Sequence, residues 1–324
     1  MTGQQQRTPT AEGVARAAAK VAAILPPTPL LPLDVDGVTV WCKAECLQPI
    51  GAFKIRGAWH RLSDMSDEEK ARGVVGVSSG NHAQGVAWAA KRLGVAATIV
   101  MPRDAPRVKL ERTLALGAQV VPYDRYNEDR DEVAAALCEK SGAILVHAYA
   151  DPWIIEGQGT AAFELAAQMR ERAGGEPTRI VVPCGGGGLS AGAALACPDA
   201  EIVPVEPEGW DDVRKSLEAG EIRDVGPNPP PTACDALQTT ATRPINFAIL
   251  KERCPFALVV TPEEVRTAQR LAFDQLRLVV EPGGAAALAA VLAGKAKIDG
   301  RTAVVLSGGN TDAAAFAEVL SAPV

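Results

Sequence analysis

Several things are scarce in this sequence, and each scarcity excludes something. Aromatic residues make up 4% of the 324 positions, and only three histidines occur, His60, His82 and His147. So few imidazoles argue against a histidine-built metal centre. No run of 18 apolar residues exists to serve as a membrane span; the apolar stretch 21-VAAILPPTPLLPL-33 is broken by prolines. That stretch also lacks the cationic start and small-residue cleavage site of a signal peptide, although residues 7–25 fit the composition of an amphipathic transit peptide. Positive charge is not in excess. Lys and Arg number 33 against 39 Asp and Glu, a net charge of −6, which argues against a nucleic-acid platform. The seven cysteines are odd in number, scattered and without a C-x-x-C pair. A disulfide framework or structural zinc is disfavoured, and a reducing cytoplasmic setting fits.

What remains has the composition of a soluble globular chain, with 47% apolar and 22% charged residues. The length suggests two domains. Apolar, β-branched runs suited to strands buried on both faces fall at 38–44, 74–79, 97–102, 118–123, 143–148, 179–184, 201–206, 256–261 and 302–307. Helical patterns alternate with them. In residues 82–94, Val86, Ala89, Ala90 and Leu93 share one face and Gly94 suits a C-cap. Residues 262–276 follow Thr261 as N-cap with Pro262 at the first position. This alternation predicts parallel sheet with helices on both faces. The proline-rich residues 226–235 read as a long loop.

Three strands end in Gly-rich turns that lead into helices: 78-SSGNHAQG-85, 183-PCGGGGLSAG-192 and 306-LSGGNTD-312. Ligands of open α/β sheets bind at such strand ends. Gly185, Gly186, Gly187 and Gly188, with the helix start at Leu189, form a nest for an anion, most simply a phosphate. No G-K-[ST] follows, so this is not a nucleoside-triphosphate P-loop. A dinucleotide reading stays open at this point, because Gly186, Gly188 and Ala191 fit G-x-G-x-x-A and Glu206 ends a strand 20 residues on. Lys54, between Phe53 and Ile55, is either a partly desolvated nucleophilic amine or a snorkelling surface lysine.

Four motifs in order, 51-GAFKIRGA-58, 78-SSGNHAQG-85, 184-CGGGGLSAG-192 and 306-LSGGN-310, closely resemble the threonine/serine dehydratase and serine racemase family. These are fold-type II enzymes dependent on pyridoxal 5′-phosphate (PLP). The resemblance runs from about residue 20 to the end. It implies an α/β, tryptophan synthase β-like fold of two open, twisted, mostly parallel sheets flanked by helices. Residues 1–69 and 151–324 would form a large PLP-binding domain, and 70–150 a small mobile domain carrying the SSGNH loop. Homodimers are common in the family.

The resemblance also assigns residues. Lys54 corresponds to the lysine that holds PLP as a Schiff base and then removes the substrate Cα proton. Phe53 corresponds to the aromatic beside the ring, and Asn81 to the asparagine on its 3′-oxygen. Gly185 to Gly188 with Leu189 correspond to the phosphate cup, and Ser307 to the serine facing the pyridine nitrogen. Ser78, Ser79, Asn81 and His82 resemble the loop holding the substrate carboxylate. Ser79 also matches the serine that exchanges a proton on the far ring face in racemase-like members. Plainer roles compete: a helix cap for Ser79, a surface first-turn position for His82, a turn serine for Ser307. In 205-VEPEGWDD-212, Glu206, the Trp210 carbonyl and Asp212 resemble a divalent-cation site suited to Mg²⁺ or Ca²⁺, against the plainer reading of an acidic helix start. Arg130 resembles an arginine at the substrate's side-chain end, where it could pair a second carboxylate; its alternative is a surface pair with Glu128, Asp129 or Asp131. The implied reaction is β-elimination from threonine or serine, giving a 2-keto acid and ammonia. Racemisation of serine or an aspartate-like amino acid, or dehydration of 3-hydroxyaspartate, is the alternative. A nicotinamide-dependent oxidoreductase and a silent binding protein are the competitors from other classes.

Overall fold

The computed structural model describes residues 7–78, 80–105, 107–124 and 127–321. Its strands are β1 (Leu30–Val35), β2 (Val38–Lys43), β3 (Val74–Val77), β4 (Ala97–Pro102), β5 (Gln119–Tyr123), β6 (Ile144–Val146), β7 (Arg179–Pro183), β8 (Glu201–Pro207), β9 (Leu258–Val260) and β10 (Thr302–Val305). The helices are α1 (Ala11–Ala22), α2 (Lys54–Ser63), α3 (Asp67–Arg72), α4 (Asn81–Leu93), α5 (Arg107–Ala115), α6 (Arg130–Ser141), α7 (Pro152–Arg172), α8 (Gly188–Ala196), α9 (Asp212–Ala219), α10 (Pro244–Arg253), α11 (Pro262–Leu276), α12 (Pro282–Leu292) and α13 (Ala313–Ser321).

Two sheets result. One has six strands in the order β1-β2-β10-β7-β8-β9, the other four in the order β5-β4-β3-β6. Every pairing is parallel except β1 with β2. The parallel strands lie where the apolar runs predicted them, somewhat shorter at their ends. β1 is the exception. The proline-broken stretch 21–33 gives no strand signal, yet Pro32 pairs with Trp41 on the antiparallel edge. An edge position tolerates a missing N–H.

Local signals hold in detail. Gly94 caps α4 in the left-handed conformation, and Thr261 with Glu264 forms a reciprocal capping box at α11. Residues 11–22, whose composition also suited a transit peptide, form α1 and bury Val14, Ala17 and Val21. The alanine-rich α12 is buried all round, as a helix without a polar face must be.

The helix that opens with Lys54 is anchored from below. Arg56, two residues on and 1% exposed, makes paired 2.7 Å contacts with Glu45 and one of 3.0 Å with Glu164. Burial opposes ionisation of Glu45, but Arg56 outweighs it and holds the carboxyl down to about 2. A fully buried, fully paired cation of this kind fixes the start of α2, because breaking it would strand a charge.

Candidate active site

The carboxyl ends of β3, β7 and β10 converge, as the three Gly-rich turns require. Between them lies a cavity of about 240 Å³ lined by Phe53, Lys54, Ser78, Asn81, His82, Arg130, Gly185 to Gly188, Leu189 and Ser307, among others. Every sequence-assigned site residue is therefore at one place, except the cation set and Ser79; Ser79 lies outside the described residues.

Lys54 is the first residue of α2, and its Nζ donates to the Ala148 carbonyl at 2.8 Å. Burial lowers its pKa from 10.5 to about 8. A neutral, nucleophilic amine is thus accessible near physiological pH. Phe53 lies beside it, with the amine 5.1 Å from the ring centroid.

Opposite stands the glycine run. Gly187 has φ +87, and α8 begins at Gly188. A Cβ on Gly186 would lie 2.3 Å from the Tyr149 ring, so the main chain lies flat on that ring only as glycine. The amides of Gly185 to Leu189 find no acceptor among the described residues. Five free amides at a helix start make an anion cradle. Ser307 completes this side. It is 5% exposed, its carbonyl accepts from the Phe53 amide at 3.1 Å, and it brings a neutral hydroxyl to the cavity.

The SSGNH loop is stitched to the β10 loop. Asn310 Nδ2 donates to both the Ile50 carbonyl and Asn81 Oδ1 at 2.8 Å. Asn81 Nδ2 in turn donates to Glu281 at 2.6 Å, leaving its second amide hydrogen for a ligand. Burial, and then the charge of Asp235, pushes Glu281 up to about 7. Ser78 accepts from the Gly80 amide at 3.0 Å and so shapes the turn. His82 is buried, and its Nε2 meets the Val146 carbonyl at 2.9 Å. Burial and the nearby Lys54 hold it down to about 3, so its ring is neutral. The start of α4 has no side-chain cap, which leaves first-turn amides to attract a carboxylate. Arg130 opens α6 at the rim, half exposed and only loosely paired, with Asp131 at 3.9 Å.

The cation set is built differently. Glu206 is fully buried and accepts from the amides of Val213 at 2.9 Å and Arg214 at 2.8 Å, capping α9. Asp212 Oδ2 accepts from the Thr242 amide at 2.7 Å, while Oδ1 is buried without a partner among the described residues. Burial, then mutual repulsion, raises Glu206 well above its ordinary range; burial raises Asp212 to about 7. Trp210 donates its amide to the Pro207 carbonyl and its indole to Pro230. An orphaned carboxylate oxygen beside a second buried carboxylate fits a hard divalent cation. No cluster of three or more His, Cys, Asp or Glu occurs among the described residues, so such an ion would rely on carbonyl and water oxygens.

Sequence reasoning missed Glu281, His147, Lys109 and Asp235 and assigned no role to Tyr149, all of which line the cavity. Glu281 acts on the site through Asn81, 200 residues away, and no local pattern encodes that.

A depressed lysine, an anion cradle and a neutral hydroxyl around one cavity define a coenzyme-binding α/β enzyme. The cradle and the lysine fit a phosphate-bearing aldehyde coenzyme. A model of the pyridoxal-phosphate dependent enzyme family matches residues 21–308. The chain belongs to that family, and its fold is fold-type II. It is 39% identical to L-threo-3-hydroxyaspartate ammonia-lyase of Saccharomyces cerevisiae, covering 89% of this chain and 88% of that protein. It is 37% identical to serine racemase of Schizosaccharomyces pombe over 97% and 98% of the two chains. The crystal structure of a T.th. threonine deaminase superposes with a TM-score of 0.86 at 43% identity, over 94% of this chain and 99% of that one. The chain is thus an enzyme of the PLP-dependent ammonia-lyase and racemase group.

Proposed function

We propose that the enzyme eliminates water from a β-hydroxy amino acid, threonine or serine or both, and releases a 2-keto acid and ammonia. The observation that carries this reading is the amine of Lys54, depressed to about 8, in one cavity with the tetraglycine cradle and Ser307. The cradle amides and the α8 start would hold the coenzyme phosphate, Asn81 its 3′-oxygen and Ser307 its ring nitrogen. When bound, PLP supplies an electron sink for the charge left on Cα. Lys54 then acts as the base at the Cα proton, a role worth about 10²–10⁴-fold. The first-turn amides of α4 with Ser78 and Ser79 orient the substrate carboxylate. A serine hydroxyl, unlike a carboxylate, does not hold the ring nitrogen protonated, which favours prompt loss of the β-group over a long-lived carbanion.

A second reading, dehydration of 3-hydroxyaspartate, is favoured by Arg130 at the cavity rim, where a guanidinium suits a second carboxylate. Racemisation depends on Ser79. Glu206, Asp212 and the Trp210 carbonyl would bind Mg²⁺ or Ca²⁺ and brace the start of α9. The scattered, odd-numbered cysteines support a cytosolic setting, and the resemblance suggests a homodimer.

The test is a panel of β-hydroxy amino acids of both configurations, assayed for ammonia, 2-keto acid and inverted amino acid, with and without Mg²⁺. L-Threonine or L-serine should release equal ammonia and keto acid. A holoenzyme that releases neither from any member would overturn the elimination reading. Inversion without ammonia would favour the racemase.

A further inference from the structure

The segment leaving β6 and entering α7 touches Lys54, His82 and the glycine run. The Val146 carbonyl meets His82, the Ala148 carbonyl accepts from Lys54 and the Tyr149 ring underlies Gly186. His147 sits among these contacts and lines the same cavity. Its Nδ1 accepts from the amides of Tyr149 at 3.2 Å and Ala150 at 2.9 Å. Both donors are main-chain N–H groups, so Nδ1 carries no proton and the neutral ring is protonated at Nε2. The ring is neutral because burial, then the charges of Arg243, Lys54 and Arg130, hold its pKa down to about 4. Nε2 has no acceptor among the described residues, yet it is not sealed from solvent, whereas Nδ1 of His60 and of His82 are sealed. A donor of fixed tautomer is therefore left without a protein acceptor among the described residues, and open to solvent, on a residue that lines the cavity.

We propose that His147 is a specificity-determining residue whose Nε2–H donates a hydrogen bond to the oxygen on the substrate's β-carbon. This rests on the elimination reading and deepens it. His147 orients the β-oxygen by a hydrogen bond, and no proton transfer is asked of it. A substrate lacking that oxygen leaves the donor unpaired in the closed site, which is how a polar pocket rejects an analogue.

Two substitutions separate the roles of the ring. In His147→Asn the side-chain oxygen can still accept the amides of Tyr149 and Ala150, as in an Asx turn, but the amide nitrogen falls short of the Nε2 position. In His147→Gln the amide nitrogen reaches that position, and the acceptor for the turn is lost. Serine and alanine of the same configuration differ only in the β-oxygen. Each holoenzyme is mixed rapidly with a concentration series of both, and the initial absorbance change of the bound coenzyme is read before keto acid accumulates. Serine should bind more tightly than alanine to the wild type. In His147→Asn that preference should fall roughly tenfold, the loss expected for one hydrogen bond, with coenzyme content unchanged. In His147→Gln it should stay within about threefold of wild type, as expected of a retained donor, whatever the loss of stability. An unchanged preference in His147→Asn, or an equal loss in both variants, would overturn the assignment. Keto-acid release by wild type, read on the same preparation, reports separately on the elimination reading and does not enter the binding ratio.

Discussion

The two halves of the cavity are held by different physics. The tetraglycine run and Ser307 stand on the six-stranded sheet, whose central strands β7, β8 and β10 are almost entirely buried, and Lys54 opens α2, which packs against α7 and α4. Their positions follow from close-packed backbone: the Phe53 amide on the Ser307 carbonyl at 3.1 Å, and Gly186 against Tyr149. The substrate half stands on the four-stranded sheet, where β5 is largely open and α6 buries only Ala134 among its described residues. It is tied to the first half by apolar packing of α4 on α2 and, across the gap, by polar contacts: Asn81 to Glu281, Arg112 to Asn310 at 2.8 Å, Lys109 to Asp235, and Asp131 to Arg243 at 3.4 Å. A coenzyme half built by packing is preorganised. The rim of the substrate half is held by hydrogen bonds and two partly exposed ion pairs, and the two should respond differently to the same insults.

The largest expected effect lies in the packed half. Lys54→Ala should lower turnover by at least about 10²–10⁴-fold and abolish reducible attachment of the coenzyme. The wild-type amine also carries a pH signature. Because burial lowers its pKa to about 8, the coenzyme-stripped protein should capture PLP faster as pH rises, reaching half its plateau near pH 8. Stability follows the same sign. Between about 8 and 10.5 the unfolded chain binds the proton and the folded one does not, so the Lys54 contribution to stability rises with pH across that window and is flat below it. A capture rate still climbing steeply beyond pH 10 would mean that the amine is exposed.

Next comes a matched pair of glycines. A Cβ on Gly186 would meet three Tyr149 ring carbons at 2.3–2.4 Å, whereas one on Gly80 meets only the mobile end of Lys109 at 3.8 Å. Overpacking costs about 1–3 kcal/mol. Gly186→Ala should therefore weaken coenzyme binding roughly 10- to 100-fold by equilibrium dialysis, and Gly80→Ala should leave it nearly unchanged. Equal losses would erase the distinction between the halves.

What could be read from the chain does not follow that division. β-branched runs marked the parallel strands of both sheets, and Gly185 to Gly188, Lys54, Ser307 and the SSGNH loop sit in local motifs. β1 was not legible, because Pro26, Pro27, Pro29 and Pro32 conceal an edge strand whose pairing is antiparallel. The segment Val146 to Tyr149 was not, because it acts largely through main-chain carbonyls, which carry no residue-type signature. Glu281 and Asp235 escaped notice because their partners Asn81 and Lys109 lie 200 and 126 residues away. Pairings of that range exist only once the two sheets face each other.

The smallest effect should come from the ties across the gap. Lys109 is 15% exposed and Asp235 45% in their ion pair, and Asp131 and Arg243 are about half exposed in theirs. Pairs of this exposure contribute about 0.2–1 kcal/mol and are screened by salt. Asp235→Asn should thus raise KM by no more than about fivefold, with coenzyme content and kcat little changed. Wild type in high salt should approach the variant in low salt, and the variant should be less sensitive to salt than wild type. The logic is one of positioning: removing a tie loosens that wall of the cavity, so substrate binding must supply more of the free energy that orders it. A KM indifferent to both Asp235→Asn and salt would show that the substrate half is held by Asn81, Glu281 and Asn310 alone, and is as rigid as the half it faces.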